Sequence, residues 1–337
     1  MPVFADFFSQ EPFEMLNVTK ALRKMPYQER MLGNMGLFNE GDAEDLATDL
    51  VEIDEENGKL QVIHTKPRGA PAEEMAKDEK RKARLFKVPH MPAHDRIYPH
   101  EIQNDRVTGE IVLDSAVRKV NDRLAKMRKA YELTREIHRL GSLKGQLLDA
   151  DNTVIFDYFT EFEVSQTTDI LALTTPTTDV RGAMVDYART VEDLLGETTY
   201  TGLALLCGRD FFDNFVNNDS VKDTYKNWEA AQSLRADLRS GFPYGGMLVM
   251  EYRGTRGLAN NIGIIEDNKA YVVPMGSDIF RTYTAPANFM STVNTPGNSM
   301  VAKVVPDLAD RWVDIHGDDN FLFMNTRPDT IIEVTGT

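Results

Sequence analysis

Apolar positions recur at alternating intervals of four and three through residues 110–141: Leu113, Val117, Val120, Leu124, Met127 and Tyr131. With about 3.6 residues per turn, that spacing puts all six on one helical stripe. Asp114 or Ser115 stands where a first-turn cap is needed, and Gly141 stands where the helix is expected to stop. About thirty helical residues reach roughly 45 Å, more than the width of a small domain, so the pattern predicts a strut across a larger body. The stripe is too short, and too poor in complementary flanking charges, for a coiled coil. A second amphipathic run, Asp179–Leu195, predicts a shorter helix ended by Gly196.

Elsewhere the apolar runs are short and β-like. Asp49–Asp54 and Lys59–Thr65 flank Asn57-Gly58, a strong signal for a tight hairpin turn. The mixed-charge tract within 67–88 is too polar for core and reads as a solvated loop or short exposed helix at the end of a long two-stranded excursion. Asp149-Ala-Asp-Asn predicts a hairpin loop between two strands, and residues 166–178 are Thr-rich and turn-like. An α/β block follows, with strand Gly202–Cys207, helices through 209–238, the loop Gly241-Phe-Pro-Tyr-Gly-Gly, and strands Met247–Tyr252 and Ala270–Met275. The last fifty residues alternate β-type runs with Pro, Gly and Asn breaks, and the final run looks docked as a strand. Residues 1–40 are aromatic and Met-rich, broken by Pro12 and Pro26, with room for one short helix around Phe13–Arg23. Such a segment is too apolar for a free tail, and it is expected to be an extended arm that finds its partner outside the subunit.

Composition narrows the function. The chain has 337 residues, 42% of them hydrophobic, enough for two domains or for one with long insertions. A net charge of −15 argues against a dedicated nucleic-acid binder, yet suits a shell whose acidic wall limits adhesion to enclosed DNA. Against that background the long helix is locally basic. Arg118, Lys119, Arg123, Lys126, Arg128, Lys129, Arg135 and Arg139 outnumber Asp114, Asp122, Glu132 and Glu136. That is either an ordinary solvated face or a face turned toward DNA. No apolar run approaches the roughly eighteen residues of a membrane span. The opening Met-Pro-Val-Phe-Ala-Asp-Phe-Phe lacks the basic region of a secretory signal, so synthesis in a reducing cytoplasm is expected.

Candidate chemistry is sparse. The single cysteine, Cys207, permits no internal disulfide and reads as a small buried residue of a strand. Gly241-Phe-Pro-Tyr-Gly-Gly lies between a helix and a strand, the wrong order for a phosphate cradle. His90, His94 and His100 could in principle hold zinc, but Pro89, Pro92 and Pro99 break any helix that would align them, and a surface turn is the simpler reading. His64, His138 and His316 stand alone. Asp318-Asp-Asn and Glu55-Glu could hold a hard cation weakly, but read more simply as turns. No catalytic, cofactor or metal residue is therefore expected.

The order of pieces, together with Leu143-Lys-Gly after the long helix, Tyr244-Gly-Gly-Met, Val293-Asn-Thr-Pro-Gly and Asn325-Thr-Arg-Pro-Asp, resembles the lambda-type major capsid protein family, the protein E family of tailed-phage coat proteins. The resemblance implies an α+β fold of the Hong Kong 97 type. It divides the chain into an N-arm (1–45), an E-loop with flanks (46–105), a spine helix with peripheral strands (106–165), an axial domain (166–288) and C-terminal peripheral strands (289–337). It implies hexamers and pentamers of an icosahedral head enclosing double-stranded DNA, with portal, scaffold and decoration proteins as further partners, and no membrane. On that reading Lys77, Lys80, Arg81 and Arg84 are candidate E-loop contacts between subunits, and Arg118, Lys119, Arg123, Lys126, Arg128 and Lys129 are a candidate interior basic face. Two rivals stay open: a cellular nanocompartment shell of the same fold, and an α/β enzyme built on residues 196–275.

Overall fold

A computed structural model of the chain describes residues 11–25, 30–38, 43–55, 82–103, 112–196, 198–222, 241–254 and 263–337. Helices α1 (Met15–Lys24) and α2 (Met31–Met35) precede strands β1 (Glu44–Asp45), β2 (Leu50–Glu55), β3 (Lys82–Lys87) and β4 (Pro92–Ile97). Short α3 (Pro99–Gln103) leads into long α4 (Val112–Lys144), then β5 (Gln146–Leu148), β6 (Val154–Asp157), α5 (Tyr158–Phe162) and β7 (Thr167–Leu171). Next come α6 (Val180–Leu195), β8 (Gly202–Cys207), α7 (Arg209–Asn217), β9 (Phe242–Tyr244), β10 (Met247–Glu251) and β11 (Lys269–Met275). β12 (Phe280–Thr284), β13 (Val301–Pro306), β14 (Val313–Asp318), β15 (Phe321–Asn325) and β16 (Ile332–Gly336) come last.

The 33-residue α4 is the expected strut, and it joins two cores. Val120, Leu124, Met127 and Tyr131 pack with Leu22, Ile97, Val313 and Ile315. One end further on, Leu140 and Leu143 enter the larger core of the α/β block. The helix does not stop at Gly141. It runs to Lys144 and ends at Gly145, whose φ of 84° favours glycine. Gly141 serves close approach instead, because a Cβ there would lie 2.8 Å from the Gln146 carbonyl oxygen.

A six-stranded sheet in the order β7-β16-β11-β8-β10-β9 forms the α/β block. β8 is buried along Leu203–Cys207, as a strand covered on both faces must be. α6 is capped by the Asp179 carboxylate, which accepts from Gly182 N, and its buried face is Val180, Met184, Tyr187, Val191 and Leu195. Two expectations change here. The Thr-rich stretch is not all turn, since β7 pairs in parallel with β16. It is an exposed edge strand, so it lacks the apolar alternation that would mark it in sequence. Moreover β16 belongs to this sheet, which therefore draws on residues from both sides of position 289. The glycine loop is a hairpin turn between β9 and β10, with Gly245 and Gly246 at φ 58° and 85° as a type I′ turn requires.

The proline-rich histidine segment is also not a surface turn. Pro92 opens β4, where a missing N–H costs no ladder bond, and Pro99 opens α3. β4, β14 and β13 form a three-stranded antiparallel sheet. β2 and β3 pair antiparallel, Leu50 with Lys87 through to Glu55 with Lys82. Among the described residues the partner of β2 is 82–87, so part of the polar tract is strand; Asn57-Gly58 and residues 59–65 lie outside the described residues. Residues 11–38 correct the largest expectation, because they are not an arm lacking a partner in the subunit. Phe13, Val18 and Leu22 are buried against α4 and β13, and Leu32, Leu37 and Phe38 are buried in the α/β core. Among the described residues no helix is long and apolar enough to cross a membrane.

Candidate assembly surfaces

The β2–β3 hairpin has two unlike faces, because successive side chains on a strand point opposite ways. Inward, Val51, Ile53, Phe86 and Val88 share a core with Tyr158, Phe162 and Leu322, and the Phe86 ring lies 5.6 Å from Phe156 and 5.8 Å from Phe162. Outward, Leu50 is 47% and Leu85 67% exposed. Arg84 is on the inner side. Its guanidinium lies 5.5 Å from the Phe162 ring centre and 4.0 Å from Glu163, so this expected inter-subunit contact is engaged within its own subunit. Lys77, Lys80 and Arg81 lie outside the described residues. Beside the hairpin a groove of about 910 Å³ is lined by Glu52, Phe162, Arg281, Tyr283, Arg327 and Asp329. Burial raises the Asp329 carboxyl above its ordinary range, against the nearby Arg327. A lining with both charge signs is unlike the apolar lining of a small-molecule pocket.

The basic residues of α4 do not form one face. At about 100° per residue, Arg118 and Lys129 nearly coincide, and Arg128 falls about a quarter-turn away from both. Arg128 is buried, donates to the Arg23 carbonyl at 2.9 Å and pairs with Glu132 at 3.1 Å. Arg123 pairs with Glu101 at 2.6 Å and Asp95 at 3.5 Å. Arg135 makes two 2.8 Å bonds to Asp319, and Arg139 lies 3.4 Å from Glu136. Glu136 in turn accepts from Leu32 N at 2.9 Å and Tyr252 Oη at 3.4 Å, which ties the N-terminal segment to the helix. Nearby, burial together with Arg128 and Arg135 lowers the Arg23 pKa despite Asp319. Of the six residues expected on an interior face, Lys126 and Lys129 are exposed, and Arg118 and Lys119 are partly exposed. Arg123 and Arg128 serve the fold.

The remaining candidates are mostly structural. Burial pushes the Cys207 thiol up, the opposite of an activated nucleophile. His138 is buried beside Phe321, and burial lowers its pKa to about 4. Asp318-Asp-Asn staples loops. Asp318 accepts from Asn288 N at 2.7 Å, Asp319 from Met300 N at 3.0 Å, and Asn320 accepts from Met91 N at 3.1 Å and donates to the Pro286 carbonyl at 2.8 Å. Of the proline-separated histidines, His90 meets Asn320 at 3.1 Å, His100 stacks on Tyr98, and only His94 gains a histidine neighbour, His316. Sequence reasoning missed that pair, since the register of β4 against β14 leaves no mark on either segment alone.

A profile of the family described as phage major capsid protein E matches residues 14–336. The major capsid protein of Pseudomonas phage KPP10 is 27% identical over 353 residues, covering 96% of this chain and 97% of its own. That of Salmonella phage Felix O1 is 24% identical over 364 residues, covering 96% of each. Among solved structures, a candidate capsid protein of a prophage from Escherichia coli CFT073 covers 96% of this chain and 99% of its own at 11% identity, with a TM-score of 0.60. The capsid of cyanophage A-1(L) covers 93% of this chain and 94% of its own at 14% identity, with a TM-score of 0.50. At those identities the structures speak for the fold alone, and it is the expected α+β fold of tailed-phage coat proteins.

Proposed function

The chain belongs to the phage major capsid protein E family, and from that membership we propose that its copies gather into hexamers and pentamers and close into an icosahedral head around double-stranded DNA. The family match favours this reading over a nanocompartment shell or an enzyme. The role is mechanical, without turnover. The observation that carries it is the β2–β3 hairpin, whose inner face is packed in its own subunit while Leu50 and Leu85 face outward on the other side. An apolar pair held outward on a rooted hairpin suits a clasp over a neighbouring copy, and repeated obligate interfaces of that kind bury about 2,000–5,000 Å² each. On this reading residues 46–105 are the clasp and its flanks, α4 is the spine, and the six-stranded sheet is the axial body. The protein is made in the host cytoplasm and works in the virion capsid, with portal, scaffold and decoration proteins as further partners. Lys126 and Lys129, exposed on α4, are the candidate contacts for packaged DNA or for a neighbour's acidic surface.

The test is a deletion kept between the two strands. Replacing residues 60–78 by a short Gly-Ser turn spares Phe86 and Val88, which belong to the core. The variant should keep the circular dichroism spectrum and melting temperature of the parent, while electron microscopy should find no closed shells. Shells of normal size and stability from the deleted chain would refute the clasp.

A further inference from the structure

In the three-stranded sheet His94 lies directly opposite His316, and Arg96 opposite Asp314. Residues two apart on a strand share a face, so these four stand together on one side, and Ile97, Val313 and Ile315 are buried on the other. The two imidazole centres are 4.9 Å apart and tilted by 36°. His94 Nε2 lies 2.9 Å from Asp314 Oδ1. One ligand atom each from His94, Asp314 and His316 lies within 4.8 Å of the other two. Ligands at about 2.0–2.2 Å from a tetrahedral zinc ion stand about 3.2–3.6 Å apart, so side-chain shifts on the order of an ångström would close the set.

The geometry points to a surface site for zinc or a related divalent transition ion, held by His94, His316 and Asp314 with water completing the shell. Two imidazoles and one carboxylate select such ions over magnesium or calcium, which prefer all-oxygen shells. The carboxylate is oriented in advance, because Trp312 Nε1 donates to Asp314 Oδ2 at 2.9 Å and Arg96 Nε to Oδ1 at 2.8 Å. Such outer partners fix a ligand's direction. Arg96 also limits the site, since it places a cation on the same oxygen, and Lys303 stands opposite His316 on the other flank. The ion would bolt β4 to β14, and β4 follows β3 directly, so the bolt would brace the root of the hairpin.

Calorimetric titration of the chelator-treated full chain with zinc chloride tests this. The parent should bind one ion per chain. His94→Ala and His316→Ala should each weaken binding by about tenfold or more, because even an outer partner's loss costs about 10–100-fold in affinity. Asp314→Asn should weaken binding by a similar factor, a response that scattered surface histidines would not give. His90→Ala and His100→Ala should leave binding unchanged, and magnesium chloride should give no saturable heat. His94 is exposed, so His94→Ala should keep the parent's dichroism. A parent chain that binds no zinc below millimolar, or that binds equally well after His94→Ala, would overturn the proposal.

Discussion

The N-terminal segment 11–38 and the β2–β3 hairpin both carry apolar side chains to place, but the first docks on its own subunit at two separate points and leaves Leu16 exposed, whereas the hairpin docks through one side only. Phe13, Val18 and Leu22 sit against α4, Leu32, Leu37 and Phe38 against the α/β core, and Glu136 binds the backbone between them. The hairpin buries one side and turns Leu50 and Leu85 outward. An apolar segment is thus not in itself a handle for assembly. What distinguishes a handle is apolar surface left over after the subunit's own packing is complete.

The sharpest way to break the contrast is Glu136→Ala, which strips Arg139 and the Leu32 amide of a buried partner. It should cost about 3–5 kcal/mol of subunit stability, read by denaturant unfolding. Loss under 1 kcal/mol, on the order of a surface change, would mean the segment is only loosely docked. Leu22→Ala removes a fully buried side chain and should cost about 2–5 kcal/mol by the same measurement.

Acid should act on α4 rather than on the hairpin. The folded pKa of His138 is near 4 against about 6.5 in the unfolded chain, because burial disfavours its charged form. The unfolded state therefore binds more protons below pH 6.5. The contribution of neutral His138 is full above that pH and fades as pH falls toward 4, by roughly 3 kcal/mol at 1.36 kcal/mol per unit. Melting temperatures between pH 7 and 4 should fall less steeply for His138→Leu than for the parent, and equal slopes would refute the assignment. The smallest effect on the fold is expected from Leu50→Ser with Leu85→Ser, within about 0.5 kcal/mol as for exposed sites. The same pair should abolish closed shells by electron microscopy, which would set the two regions apart in one experiment.

Elements with strong local patterning were legible from the residues alone. The α4 stripe, the Asp179–Leu195 helix ended by Gly196, buried β8 and the Asp149-Ala-Asp-Asn turn needed no tertiary information, as the observed elements bear out. What escaped depends on pairing between distant segments. β3 sits in a charged tract yet is half buried, because every second residue points inward. The side on which each basic residue of α4 falls depends on acidic groups of other elements, Glu101 for Arg123 and Asp319 for Arg135. His94 and His316 likewise meet only through strand register. The family resemblance, carried by collinear short motifs rather than by chemistry, was the part that led to function.

Thr19 donates to the Ala302 carbonyl and accepts from its amide, both at 3.1 Å, and β1 pairs with β12 across a similar span of chain. Pairings so far apart in sequence close slowly, since a large loop entropy is spent before any contact rewards it. A nascent chain that ends before residue 300 cannot yet bury Leu22 or finish the sheet that supports α4. Folding is then timed after synthesis rather than alongside it, and during that interval the early apolar segment stands open to chaperones. A coat protein made in many copies gains a checkpoint from this, because only chains that have reached β13 present a settled surface to their neighbours.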